Sequence, residues 1–133
     1  MIFYLKLYAL TLPVFFIIDM LWLGVVARGF YRRNLANILS PDVNWPAAFI
    51  FYFIYVAGII FFAVRPAVSE GSLGNAALLG ALFGLFTYAT YDLTNMATIK
   101  KWPVVIVVVD MIWGVCLCTL VAVSSFTIAG WLL

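Results

Sequence analysis

Val104-Val105-Ile106-Val107-Val108-Val109-Asp110-Met111-Ile112-Trp113-Gly114-Val115-Cys116-Leu117 is the stretch that decides the fold. From Pro103 through at least Ser124 it carries one charge, Asp110. A helix needs roughly 20 predominantly apolar residues to cross the hydrocarbon core of a bilayer, and this stretch supplies them. Three earlier stretches do the same. Of 133 residues, 68% are hydrophobic and 9% charged, too little polar surface to cover a soluble core of this size. The expected fold is therefore all-α: one domain over residues 1–133, a bundle of four transmembrane helices.

Local signals place the boundaries. The first helix is expected from about Phe3 to Ala27, kinked at Pro13. The first half of the loop from Arg28 to Asn44 can form a short helix lying at the interface, with Phe30 and Leu35 down and the arginines outward, and Ser40-Pro41-Asp42 reads as a turn. The second helix starts near Asn44, a capping residue with Pro46 in the first turn, and is expected to end at Arg65-Pro66. The third runs from near Ser72 to about Ile99, where Lys100 and Lys101 suit the negative end of the helix dipole. Trp102-Pro103 breaks the chain before the fourth.

The first and third loops hold Arg28, Arg32, Arg33, Lys100 and Lys101, against Lys6 and Arg65 on the opposite side. The positive-inside rule then places both termini on the outer side. The N-terminal apolar region is too long for a signal peptide, is interrupted by Asp19, and is followed at once by arginines, so it reads as a retained helix.

Several function classes fall away. A net charge of +2 without a basic soluble surface argues against nucleic acid. The absence of histidine excludes histidine-cluster oxygenase chemistry and most zinc chemistry. Cys116 and Cys118 turn to different sides of one helix, which makes a disulfide between them implausible. No cofactor is implied, and no catalytic residue can be named.

What remains is a set of acids where lipid should be. Asp19-Met20-Leu21-Trp22 and Asp110-Met111-Ile112-Trp113 repeat one phrase, and Asp92 lies in a polar run from Tyr88 to Asn95. Ionisable groups in spanning helices cost roughly 2.5–3.5 kcal/mol on insertion scales and usually face a bundle interior or cavity. At 1.5 Å per residue, Asp19 and Asp110 lie about 12 Å from the basic end and Asp92 about 10 Å, so the three form one layer. Trp22 and Trp113 follow their acids by three residues on antiparallel helices, and are expected to bracket that layer from its two sides. Tyr88, Asp92 and Asn95 share a helix face, which Tyr91 extends. With no lysine or arginine at this depth, the cluster is expected to hold at least one proton at neutral pH, or a bound cation. Gly80 and Gly84 form a small-xxx-small pattern that admits a close neighbour, and this surface is a candidate homodimer contact.

At these motifs the sequence resembles the DUF2177 family of small four-helix bacterial membrane proteins. The resemblance rests on Asp19-Met20-Leu21-Trp22-Leu23-Gly24, Tyr91-Asp92-Leu93-Thr94-Asn95-Met96-Ala97-Thr98, Trp102 and Asp110-Met111-Ile112-Trp113-Gly114, and covers nearly the whole chain. It implies a four-helix fold and a bacterial inner-membrane location, and carries over no activity.

Three functions compete. The first is a small proton- or cation-linked carrier or binding protein for an apolar or cationic small molecule, with Asp19, Asp92, Asp110, Trp22, Trp113, Tyr88, Tyr91 and Asn95 as binding residues. The second is an enzyme acting on a lipid or isoprenoid, with a protonated aspartate as general acid and aromatic rings stabilising a cation. A metal-dependent form of it would use Asp19, Asp92, Asp110 and Asn95 as oxygen ligands for magnesium. The third is a structural or accessory subunit whose polar network fixes helix register.

Overall fold

A computed structural model describes all residues, 1–133. α1 (Ile2–Leu21) runs into a π-helical turn at Trp22–Val26, and α2 (Arg28–Asn34) is the short interfacial helix. α3 (Trp45–Ile59), a second π-helical turn (Ile60–Val64) and α4 (Arg65–Glu70) form one continuous rod. α5 (Leu73–Thr98) and α6 (Val104–Leu132) complete the chain. Four helical rods are long and apolar enough to cross a membrane: Ile2–Val26, Trp45–Glu70, Leu73–Thr98 and Val104–Leu132.

The ends obey local chemistry. Asn44 accepts a hydrogen bond from the Ala47 N–H at 3.2 Å, and Ser72 accepts one from the Asn75 N–H at 3.1 Å, so each side chain satisfies an otherwise orphaned donor. Pro13 lies inside α1 without ending it. The second rod does not stop at Arg65-Pro66. The wider turn at Ile60–Val64 directly precedes the proline, and Pro66 falls in the first turn of α4, where the change of helical register lets the rod continue. The rod ends instead at Gly71, whose φ of 64° a side chain would resist. The fourth helix extends past Ser124 to Leu132.

Only 28 of the 133 residues are buried. Ile54, Phe62, Phe86 and Val104 are each more than 60% exposed, and such apolar surface is stable against acyl chains rather than water. The interior is correspondingly narrow. Leu7, Phe15, Val56, Ile59, Leu117 and Val121 are fully enclosed and pack as one cluster. Within it, the Thr11 and Ser125 hydroxyls meet at 2.8 Å, tying α1 to α6.

α5 and α6 approach most closely. A Cβ built on Gly80 would stand 2.7 Å from the Cys118 carbonyl oxygen and from the Ala122 Cβ, and one on Gly84 would overlap the Gly114 backbone. The small-xxx-small surface is therefore occupied within the chain, because two backbones in contact need glycine at the crossing. As a contact with a second copy, that surface is unavailable.

At the basic end, Leu35, Trp102, Ile106 and Val107 form a smaller cluster, with Phe30 and Tyr31 packed against it. It clamps α2 onto the start of α6, so the first and third loops share one end of the bundle. Cys116 and Cys118 are both free.

Candidate functional site

The three aspartates are near neighbours, but they are held in different ways. Asp19 is buried, with 5% exposure, and is well supplied with donors. The Tyr52 hydroxyl donates to its Oδ2 at 3.1 Å and the Trp113 indole N–H to its Oδ1 at 3.4 Å. Asp110 is half-buried and accepts the Tyr31 hydroxyl at 2.8 Å; Tyr31 in turn accepts the Trp22 indole N–H at 3.1 Å. Asp92 is fully buried and neither of its oxygens receives a hydrogen bond. Its neighbour in the wall of one cavity is Asp110.

The tryptophans do not bracket the layer. Trp22 and Trp113 stack face to face, with centroids 4.4 Å apart and an interplanar angle of 7°. Side chains on a helix lean toward its N-terminus. Trp22, beyond Asp19 on a descending rod, leans back up, while Trp113, beyond Asp110 on an ascending rod, leans back down, and the rings converge. The pairing is consequently crosswise: Trp113 serves the acid of the other phrase, and Trp22 reaches Asp110 only through Tyr31.

Two cavities meet at Asp110. The larger, about 600 Å³, has Asp19 and Asp110 in its wall together with Tyr52, Tyr55, Tyr88 and Trp113. The smaller, about 420 Å³, lies toward the basic end and is walled by Asp92, Asp110, Tyr91, Trp102, Arg28 and Arg32 among others. Tyr91 also lines both. The Tyr55 hydroxyl meets the Thr87 hydroxyl at 2.6 Å and the Cys118 sulfur at 3.1 Å, so its ring is fixed in the wall of the larger cavity. The Tyr88 ring is fixed by contact with α6, since it fills the space a Cβ on Gly114 would need. Asn95 lines neither cavity. It sits one turn beyond Asp92, and sequence spacing could not tell which way that turn of α5 faces.

No group of three or more acids and cysteines is gathered closely enough to hold a metal ion. The magnesium set suggested by Asp19, Asp92, Asp110 and Asn95 is not assembled, because Asp19 is drawn toward Tyr52 and Trp113 and Asn95 lies outside the cavities.

Sequence reading missed Tyr52, Tyr55 and Tyr31. The first two are a pair three apart on α3, polar hydroxyls among phenylalanine and isoleucine, and that contrast was the available signal. Tyr31 lies on the short helix after α1, and nothing local revealed that its hydroxyl reaches Asp110. Burial there pushes its phenol above the ordinary tyrosine value, so the hydroxyl keeps its proton and its role as donor.

No curated protein and no solved structure matches the chain. The family described as "Predicted membrane protein (DUF2177)" matches residues 4–127. Four membrane-length rods and a match over nearly the whole sequence agree, and the chain belongs to the DUF2177 family of membrane proteins.

Proposed function

We propose that the protein binds a lipophilic organic cation in the larger cavity and exchanges it against a proton held on the aspartates, as a small carrier or binding protein of a bacterial inner membrane. The observation that carries this reading is the wall of that cavity: two carboxyls set among aromatic rings, with no lysine or arginine lining it. Ring faces attract cations, and attract them more strongly when water is excluded. A cavity of about 600 Å³ is within the range that takes small organic molecules. The placing of Asp92 and Asp110 in one cavity wall supports proton exchange. A buried carboxyl that receives no donor, beside a second carboxyl, calls for a proton or a cation, since a carboxylate only accepts. The basic loops favour an orientation with both termini outside. A homodimer remains part of the proposal, through a surface other than Gly80 and Gly84.

The test uses tetraphenylphosphonium and the purified protein in proteoliposomes. Binding should quench tryptophan fluorescence through Trp113, and acidification should release the ligand. Asp19→Asn and Asp110→Asn, each confirmed as folded, should weaken binding about thirtyfold, on the order of 2 kcal/mol for a desolvated charge losing its partner. Uptake driven by a pH gradient should fall with it. If folded Asn variants bind and accumulate the cation like the wild type, or if protein-free liposomes match them, the reading is wrong.

A further inference from the structure

The smaller cavity, whose Asp92 and Asp110 the organic-cation reading uses only to hold a proton, presents further groups that reading leaves aside. Two of its buried polar groups have no partner, and they are of opposite kinds. Asp92 has two acceptor oxygens and no donor, at full burial. Trp102, with 8% exposure, has an indole N–H and no acceptor. Buried polar groups are satisfied in the great majority of cases, so two orphans in one wall mark the place of something that satisfies both. At the mouth, Arg28 and Arg32 line the same cavity from adjacent turns of α2.

We infer that this cavity is a binding site for a zwitterion of the aminoalkyl phosphate class, with a primary ammonium directed to Asp92 and a phosphate held by Arg28, Arg32 and Trp102. Each group follows from a specific demand. Asp92 needs N–H donors, which a primary ammonium has and a quaternary ammonium lacks. Asp110 adds a second carboxyl to the same wall, and an ammonium supplies the positive charge the two call for. Two guanidinium groups and an indole N–H make a donor set for a phosphate, whose several oxygens can accept from all three. A carboxylate on the same ligand would be pushed back by Asp92 and Asp110, which disfavours a phosphoserine head. The apolar residues Leu35 and Leu39 beside the arginines leave an apolar exit, so the same chemistry can arrive as a phosphoethanolamine lipid head or as the free phosphate ester. Basic pockets between spanning helices at the membrane surface are recurrent lipid-head sites.

The experiment reads binding, not uptake, and so stands apart from the organic-cation proposal. Protein is placed in nanodiscs of equal parts phosphatidylethanolamine, phosphatidylcholine and phosphatidylglycerol, and lipid retained on release is identified by native mass spectrometry. In parallel, free phosphoethanolamine is titrated calorimetrically. The expected result is phosphatidylethanolamine retained on the order of tenfold over the other two. That preference should be lost in the Arg28→Gln/Arg32→Gln double variant and in Trp102→Phe, which removes the N–H and keeps the ring packing. Asp92→Asn should erase the preference for ammonium over glycerol heads. Calorimetric binding of free phosphoethanolamine, abolished by the same variants, would assign a soluble source to the same chemistry. Equal retention of ethanolamine and choline lipids, or no binding in either arm, would overturn the inference. Tetraphenylphosphonium binding should survive in the double arginine variant, so the failure of one proposal is distinguishable from the failure of the other.

Discussion

Gly80 stands at the close crossing of α5 and α6, and replacing it with alanine tests how the site is held together. The new Cβ would stand 2.7 Å from the Cys118 carbonyl oxygen and the Ala122 Cβ, against the 3.4 Å at which ordinary contact begins. α5 and α6 must therefore separate by about 0.7 Å. A radial gap of 0.5–1 Å forfeits a quarter to a half of each dispersion contact it opens, and overpacking of this kind typically costs about 1–3 kcal/mol. Alanine returns about 0.5–1 kcal/mol through its better helix propensity. The net expectation is a loss of about 1–2 kcal/mol for Gly80→Ala, and a larger one for Gly84→Ala, which meets the Gly114 backbone more closely still. Gly130, inside α6 with nothing within 4 Å of its built Cβ, is the control and should gain up to about 0.5–1 kcal/mol from helix propensity alone. Reversible unfolding by SDS in mixed micelles, followed by tryptophan fluorescence, measures all three. Because Asp92 is on α5 and Asp110 on α6, the same separation should move the two carboxyls apart and weaken tetraphenylphosphonium binding. If Gly80→Ala and Gly84→Ala both match Gly130→Ala in stability, the close crossing of α5 and α6 is refuted.

The stacked Trp22–Trp113 pair should give an exciton couplet in the near-ultraviolet circular dichroism spectrum, since the rings lie 4.4 Å apart and nearly parallel; Trp22→Phe and Trp113→Phe should each abolish it entirely, and a signal halved by each would show that the rings act separately. Tyr31 yields a pH prediction whose sign is fixed by burial: its phenol is held above the ordinary value near 10, so the stability it contributes is fully present below pH about 10 and is lost as pH climbs further. Tyr31→Phe should therefore be less stable than wild type at neutral pH and should lose less stability between pH about 10 and 12; parallel curves for the two proteins in SDS titrations would contradict the bond to Asp110.

Much of the fold was legible because membrane helices announce themselves by length. Apolar runs bounded by Asn44, Ser72 and Trp102-Pro103 place all four rods within a few residues. The second rod ran past Arg65-Pro66 because a π-helical turn shifts register just before the proline, and nothing in Ile60-Phe61-Phe62-Ala63-Val64 signals that turn. The site was less legible than the fold. Asp19 and Asp110 do line one cavity and Asp92 and Asp110 another, yet whether Asn95 faced them depended on an angle about the helix axis, which the polar run from Tyr88 to Thr98 does not fix because its polar side chains point to several sides of α5. The tryptophan stack, by contrast, was within reach: the lean of side chains toward each helix N-terminus, applied to two antiparallel rods, predicts convergence.

The distribution of hydrogen bonds bears on whether this layer is architecture or function. A network that only fixes register would be expected to satisfy its costliest members first, because an unpaired polar group in hydrocarbon has no water to fall back on. Asp19 fits that description, with donors from α3 and α6. Asp110 fits it too, reached by Tyr31 from the interfacial helix. Asp92 does not. It is the most buried of the three and the only one without a donor, and it sits on α5 against the one helix, α6, that the glycines bring closest. Register would be as well fixed there by leucine at less cost. A carboxyl kept at that position, beside a second carboxyl and a cavity with arginines at its mouth, makes sense as a group whose partner comes from outside the chain.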